Sequence, residues 1–513
     1  MNETDIKSDI EKEETGIVGF DTASGGGLPK GRMTIVSGTA GSGKTIFATQ
    51  FLVDGILNRN SNAVFVTFEE TPEEICRDMK GFNWDLRKFE EEGKLKFVDI
   101  SLPHDVEIEQ WKSIIPVCYE VRNIIGKIEN AVQKIGAKRV VIDSIGTMFG
   151  DAIDRATVRS KIFRISSSLR KLGVTSIMTI ERSEEYGAIS RYGVEEFAAE
   201  NVVVLRNVFE EKRRRRTIEI LKFRGTNHIR GEFPFTILPG KGIVAFPITY
   251  LQRSISHQPY TQTKVTSGSK ELDEMCNGGF FKDSVIFVSG GPGCGKTVLS
   301  TQFIAGGVAA GEKGLLVTFD ENKEALYRNA LGRNIDLKAM EDSRKLLIHS
   351  AYPESMGIDE HLSQIISAIE RFQPERIVID SLSAIQRITS PKGLEEFIMG
   401  VTYYIKKKGI TAIYTANSNP ISFGCGNLES LGFAIADTII LLKYVEVFGE
   451  VHRGIVIMKM RSSAHDKEIR EFTIDTEGIH IGKAFRNVSG ILSGSQIHKF
   501  TGENDRIDKL FTE

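Results

Sequence analysis

Cysteine is sparse in this chain of 513 residues, and the five present (Cys76, Cys118, Cys276, Cys294, Cys425) form no CxxC pair. That excludes a zinc site or disulfide scaffold legible from spacing, and it fits a reducing cytoplasm. No apolar run approaches the roughly 18 residues that a membrane-spanning helix needs. The opening stretch, MNETDIKSDIEKEET, is polar and acidic, unlike a signal peptide. An excess of one charge is also missing: Lys plus Arg number 66, Asp plus Glu 68, and the formal net charge is −2. Such balance argues against a protein dominated by nucleic-acid or membrane electrostatics. With 41% apolar and 26% charged residues, the composition is that of a folded chain rather than a disordered one.

What is present is a long tandem duplication. Gly38-Thr-Ala-Gly-Ser-Gly43-Lys44-Thr45 recurs as Gly290-Gly-Pro-Gly-Cys-Gly295-Lys296-Thr297. Thr49-Gln50-Phe51 recurs as Thr301-Gln302-Phe303, and Gly26-Gly27 as Gly278-Gly279. VTFEE (Val66 to Glu70) matches VTFDE (Val317 to Glu321), and VVIDS (Val140 to Ser144) matches IVIDS (Ile377 to Ser381). Landmarks in the same order predict two α/β domains, 15–246 and 265–489. A flexible terminus (1–14) precedes them, a polar linker (247–264) joins them, and a charged tail (490–513) follows. Short apolar runs at Met33 to Ser37, Ala63 to Phe68 and Val140 to Ile142, separated by helical segments, predict a mostly parallel central sheet. Asn201 to Arg206, Arg216 to Phe223 and Glu232 to Ile237 suggest antiparallel hairpins at one edge.

GxxxxGK[ST] between a strand and a helix is a P-loop, whose backbone N–H groups converge on phosphate oxygens. Gly41, Ser42, Gly43, Lys44 and Thr45 form it in the first copy, and Gly293, Cys294, Gly295, Lys296 and Thr297 in the second. Lys44 and Lys296 are expected to reach the β- and γ-phosphates of ATP, and Thr45 and Thr297 to place hydroxyls on Mg²⁺. Asp143 and Asp380 each end an apolar strand, where a carboxylate can hold Mg²⁺ directly or through water. Glu69 and Glu70, with Asp320 and Glu321 in the second copy, are candidates for orienting the attacking water. Asp320 is one methylene shorter than Glu69, so the two sites need not be equally active. Lys222/Arg224 and Lys459/Arg461 are Lys-x-Arg pairs on late strands, suited to reaching a neighbouring subunit's nucleotide. The run Lys212 to Arg216 reads as a solvated hairpin tip or subunit-contact loop, because no aromatic platform accompanies it. Cys294 reads as a small tolerated loop residue.

The chain resembles the KaiC family of clock ATPases and autokinases over nearly its full length. The matching stretches are TGIVGFD (Thr15 to Asp21), ERSEEYGAISRYGVEEF (Glu181 to Phe197), RRRRTIEILKFRGT (Arg213 to Thr226), LDEMCNGGFFKDS (Leu272 to Ser284) and ADTIILLKYVEVFGE (Ala436 to Glu450). The resemblance implies RecA-like domains, a homohexameric double ring, and ATP bound between subunits. It also implies that Glu69 and Glu70 serve hydrolysis in the first ring. Lys222, Arg224, Thr226 and His228, and in the second ring Arg453, Lys459, Arg461, Ser463, His465 and Lys467, are thereby implied to bind ATP. A KaiB-like partner is implied as well. The tail after Ser495 looks shorter than the segment clock members offer to KaiA, which counts against a KaiA-type partner.

The departures are informative. The family's adjacent Ser-Thr phosphorylation pair falls on Phe433 and Ala434, which have no hydroxyl, and its nearby regulatory threonine falls on Leu428. Ser430 lies close by. The tryptophan that the family places by the second-ring adenine falls on Arg333. The leading expectation is therefore a cytoplasmic, KaiC-type hexameric ATPase acting as a timer or signalling hub. Two alternatives stay open: an autokinase using another acceptor, and a RecA- or RadA-like DNA-dependent ATPase.

Overall fold

The computed structural model describes residues 10–100, 120–148, 154–190, 193, 199–210, 213–247, 261–418, 427–447, 449–486, 488–492 and 497–498. The start of the acidic terminus, most of the expected linker, Lys212 and the end of the tail lie outside the described residues. The chain divides into two compact units, Met1–Tyr250 and Leu251–Glu513.

The first unit is built on a nine-stranded sheet: β1 (Met33–Gly38), β2 (Ala63–Thr67), β3 (Leu95–Asp99), β4 (Arg139–Asp143), β5 (Thr175–Glu181), β6 (Asn201–Glu210), β7 (Arg213–Phe223), β8 (Glu232–Leu238) and β9 (Gly242–Ala245). Their spatial order is β9-β8-β7-β6-β1-β5-β4-β2-β3. The second unit carries β10 (Val285–Gly290), β11 (Gly314–Thr318), β12 (Leu346–Ser350), β13 (Arg376–Asp380), β14 (Thr411–Asn417), β15 (Thr438–Val447), β16 (Glu450–Met460), β17 (Arg470–Asp475) and β18 (Gly478–Ala484). Their order is β18-β17-β16-β15-β10-β14-β13-β11-β12, the same topology strand for strand. From β6 through β1 to β3 every pairing is parallel, and β6 to β9 are antiparallel.

The parallel strands form where the sequence is apolar at consecutive positions. β1, β2 and β4 are buried at every residue, as a sheet covered on both faces requires. Alternate residues feed separate cores. Val36, Phe65 and Val141 pack on one face with Phe47 and Phe51, while Ile35, Val64 and Ile142 pack on the other. The helices that follow the glycine loops, α1 (Lys44–Asn58) and α2 (Lys296–Ala309), are largely buried against the sheet.

Two expectations change. Arg213 to Arg216 are the first residues of β7, paired with Asn207 to Glu210, rather than a solvated hairpin tip. A run of like charges carries no period of two, so its strand character is invisible until the partner strand is in place. Arg224 and Arg461 lie one residue beyond the ends of β7 and β16 instead of on the strands.

Each unit also contains a buried arginine that ties the glycine-loop helix to the sheet. Arg139 Nη1 donates to Phe51 O at 2.5 Å. Arg376 Nη1 donates to Phe303 O at 2.8 Å and Thr266 O at 2.7 Å, and its Nε meets Glu312 at 2.5 Å. Room for each comes from a helical glycine, Gly55 or Gly307, whose added Cβ would collide with the guanidinium group. Gly→Ala in a helix ordinarily stabilises by about 0.5–1 kcal/mol. At Gly307 the sign should reverse: Gly307→Ala is expected to destabilise the second unit by about 1–3 kcal/mol, through overpacking. Urea unfolding measures this, and an unchanged or raised midpoint would show that Arg376 yields without cost.

Candidate nucleotide sites

β1 ends at Gly38, α1 begins at Lys44, and the loop between them turns through Gly41 and Gly43, at φ 72° and 97°. Gly293 and Gly295 repeat the turn at 76° and 105°. These are left-handed positions that glycine adopts without strain. Neither α1 nor α2 has a side-chain cap at its glycine N-cap, so the first-turn N–H groups are left to an outside acceptor. Ser42 Oγ donates to Thr39 O at 2.8 Å and braces the loop. Lys44 Nζ folds over it onto Thr39 O at 3.0 Å, and Lys296 Nζ onto Gly290 O and Gly291 O at 2.8 and 2.9 Å. Burial pushes both ammonium groups below the ordinary lysine range, against nearby carboxylates that pull them up.

The parallel topology brings the other candidates to the same edge. Asp143 ends β4 and Asp380 ends β13. Thr297 Oγ1 donates to Asp380 Oδ2 at 2.7 Å, and the Thr415 hydroxyl donates to Oδ1. Thr179 bonds Asp143 in the same way, and Thr45 also hydrogen-bonds it. Burial pushes both carboxyls up, and these hydroxyls and the loop lysines hold them down. A threonine hydroxyl beside a carboxylate is a hard-oxygen donor pair, which fits Mg²⁺ carried in on phosphates. No cluster of three or more His, Cys, Asp or Glu suited to holding an ion without such phosphates occurs among the described residues.

The second carboxylates stand just past β2 and β11. Ser144 Oγ donates to Glu69 Oε1 at 2.7 Å, and Ser381 Oγ to Asp320 Oδ2 at 2.7 Å. The serine following each strand-end aspartate was visible as IDS in both copies, but its role as orienter was not. Burial raises Glu69 and Glu70 above the ordinary glutamate range. The two copies then diverge. Asp320 Oδ1 also takes a bond from Arg387 Nη2 at 3.1 Å, while Glu321 Oε2 accepts from Asn329 Nδ2 at 3.1 Å. The first copy's sequence has Gly150 at the position corresponding to Arg387, outside the described residues.

A cavity of about 490 Å³ opens at the second loop, lined by Gly293, Gly295, Lys296, Thr297, Glu321 and Arg453 among others. Cys294 is buried beside it, and burial pushes its thiol up, which disfavours the thiolate. Sequence reasoning missed Arg216. Its Nε donates to Gly41 O at 3.3 Å, and its strand position corresponds to that of Arg453. Arg214 and Arg215 are likewise engaged, with Asn207 O and Glu210.

The remaining candidates lie elsewhere. Lys222 pairs with Val202, which pairs with Ile35, near the start of β1 and away from Gly38. Lys459 pairs with Ile439 and through it with Phe287, in the same relation to Gly290. Lys222 Nζ donates to Ala199 O at 2.9 Å; Lys459 Nζ donates to Phe433 O and Ala436 O, both at 2.8 Å. The Arg224 carbonyl accepts from Arg32, and Arg461 Nη2 reaches Ala434 O at 3.2 Å. Thr226 Oγ1 contacts Asn227 O, and Ser463 Oγ accepts from Lys264 Nζ at 3.0 Å. His228 packs on Phe223, and burial lowers its imidazole. His465 has a buried Nδ1 without a partner, as does His228, and Lys467 is exposed. None of these groups joins the chain's own phosphate loop. On the short helix Asn427–Ile435, Leu428 is buried, Phe433 half-buried, and Ser430 and Ala434 exposed.

Phosphate loops, strand-end aspartates and second carboxylates on mostly parallel sheets define the class: these are tandem RecA-like P-loop ATPase domains. The KaiC ATPase family model matches residues 13–250 and 265–485. The chain is 50% identical to the circadian clock protein KaiC3 of Synechocystis sp., over 98% of both chains. It is 45% identical to the circadian clock oscillator proteins KaiC of Synechococcus elongatus and Thermostichus vulcanus, over 98% of this chain and 95% of each relative. The chain belongs to the KaiC family of ATPases and binds nucleotide.

Arg387→Ala should free one oxygen of Asp320. In a chain also carrying Glu69→Gln, residual ATP turnover is expected to rise by no more than about fivefold, the worth of an exposed ion pair. A fall in turnover would instead make Arg387 part of the working arrangement.

Proposed function

We propose that the chain hydrolyses ATP at subunit interfaces of a homohexamer and acts as a nucleotide-driven timer or signalling hub, with catalytic domains spanning 15–246 and 265–489. Lys44 and Lys296 hold the β- and γ-phosphates. Thr45 with Asp143, and Thr297 with Asp380, would hold Mg²⁺, which when bound would offset charge on the phosphates. Glu69, fixed by Ser144, orients a water in line with the γ-phosphate and draws its proton; Glu70 supports it. Asp320 and Glu321 take these places in the second site. The neighbour's Lys222 and Arg224, or Lys459 and Arg461, offset charge on the transferring phosphoryl group.

One observation carries the intersubunit part. Lys222 and Lys459 each lie level with a residue three places before the phosphate loop's strand ends, roughly 10 Å back along the sheet. Both point to carbonyls at that end. A group so placed serves a phosphate only on another copy of the chain. The clock names of the relatives favour a timing role, and a KaiB-like partner is proposed on the same ground.

Mixing two inactive variants tests this. Glu69→Gln lacks the base and Arg224→Ala lacks the reaching cation. Co-assembled in equal amounts, they should recover about a quarter of the first-ring rate, the share of interfaces that combine an intact Glu69 with an intact Arg224. Glu69→Gln should keep nucleotide binding. No recovery would exclude the intersubunit assignment.

Autokinase activity lacks its acceptors, since Phe433 and Ala434 have no hydroxyl. Ser430 shares their helix face at i, i+3 and i+4 spacing. Incubation with γ-labelled Mg-ATP is expected to release the label as free phosphate with none on protein. Stable label on the polypeptide would restore the kinase reading, with Ser430 the first residue to map. The engaged arginines of β7 count against a DNA-dependent motor.

A further inference from the structure

The duplication supplies an internal comparison. Gly81 to Leu86 (GFNWDL) and Gly332 to Leu337 (GRNIDL) fold alike. Asn83 and Asn334 are both left-handed, at φ 63° and 55°. Asp85 and Asp336 both cap the helix that follows, accepting from Lys88 N at 3.1 Å and Ala339 N at 2.9 Å. Equivalent places therefore hold Phe82 in one copy and Arg333 in the other. Phe82 lies 5.0 Å from the Trp84 ring and packs on the first core. Arg333, with Ile335 in place of Trp84, lines the second site's cavity instead. Its Nη1 donates to Asn329 O at 2.6 Å, while its Nε is buried and has no hydrogen-bond partner.

This cavity has two poles. The glycine loop, Lys296 and Arg453 make one, suited to phosphate. Leu326 and Ala330, on the helix Lys323–Leu331 that precedes Arg333, add apolar lining, the kind of surface on which a flat base rests. Arg333 adjoins that lining: its amide bonds Ala330 O at 2.9 Å. A guanidinium group only donates. Adenine offers it the N7 acceptor next to the N6 amine, a competing donor; guanine offers O6 and N7, two acceptors matched to a planar fork.

We infer that the second site takes guanine nucleotides as well as ATP, with Arg333 reading the base, whereas Phe82 gives the first site no such reader. This rests on the nucleotide-site reading above. The test uses the full chain with the first site silenced by Lys44→Ala. Binding of the β,γ-imido analogues of ATP and GTP, each with Mg²⁺, is measured by calorimetry. The GTP analogue should bind within about tenfold of the ATP analogue, and Arg333→Phe should weaken it at least about tenfold more than it weakens the ATP analogue. Failure of the GTP analogue to bind, or an equal loss for both analogues in Arg333→Phe, would overturn the inference while leaving the site assignment standing. Loss of both analogues from the Lys44→Ala chain itself would overturn the site assignment and the inference with it.

Discussion

Parallel strands deliver all their carboxyl ends to one edge of a sheet, and the chemistry of each unit depends on that constraint. β1 hands over to the phosphate loop there, β4 ends in Asp143, and Glu69 follows β2. No local signal joins these residues; they are far apart in sequence. Strand direction alone makes them neighbours. The constraint also has an opposite side, because the antiparallel β7 runs back and carries Lys222 to the other edge. A fold of this kind separates the group that holds a phosphate from such a lysine, and the proposed intersubunit arrangement is one way to reunite them.

Burial is what gives the assembled groups their tension. Around the first loop an ammonium and two carboxyls are withdrawn from water, and burial drives every one toward its neutral form; Lys296 and Asp380 share this at the second. Threonine and serine hydroxyls hold part of that tendency in check without adding charge. An arriving polyphosphate supplies negative charge beside the ammonium, and burial then no longer favours its neutral form. The two copies share this design but not its details: Asp320 has both oxygens engaged where Glu69 has one hydrogen bond among the described residues.

Much of this was legible in the sequence. The loops, the duplication and the parallel core each leave a one-dimensional mark, as glycine spacing, as repetition, or as an unbroken apolar run. What stayed hidden depends on pairing between distant segments. Arg213 to Arg216 look like a loop until Asn207 to Glu210 lie alongside. Ser144 looks like an incidental neighbour of Asp143 until Glu69 arrives from another strand. Arg387 meets Asp320 from a separate element, and nothing in either stretch announces the other.

The buried arginines also have a mechanical meaning. Arg376 starts the strand that ends in Asp380, and it grips α2 at Phe303 O, while Thr297 at the head of α2 meets Asp380. The strand is thus pinned at both ends, to the head and the middle of the helix, like a bar of a braced frame. A bar fixed at one end can swing; one fixed at both can only move with its partner. The spacing between loop and aspartate is therefore carried by the frame itself, and any motion during turnover must pass to the connections outside it.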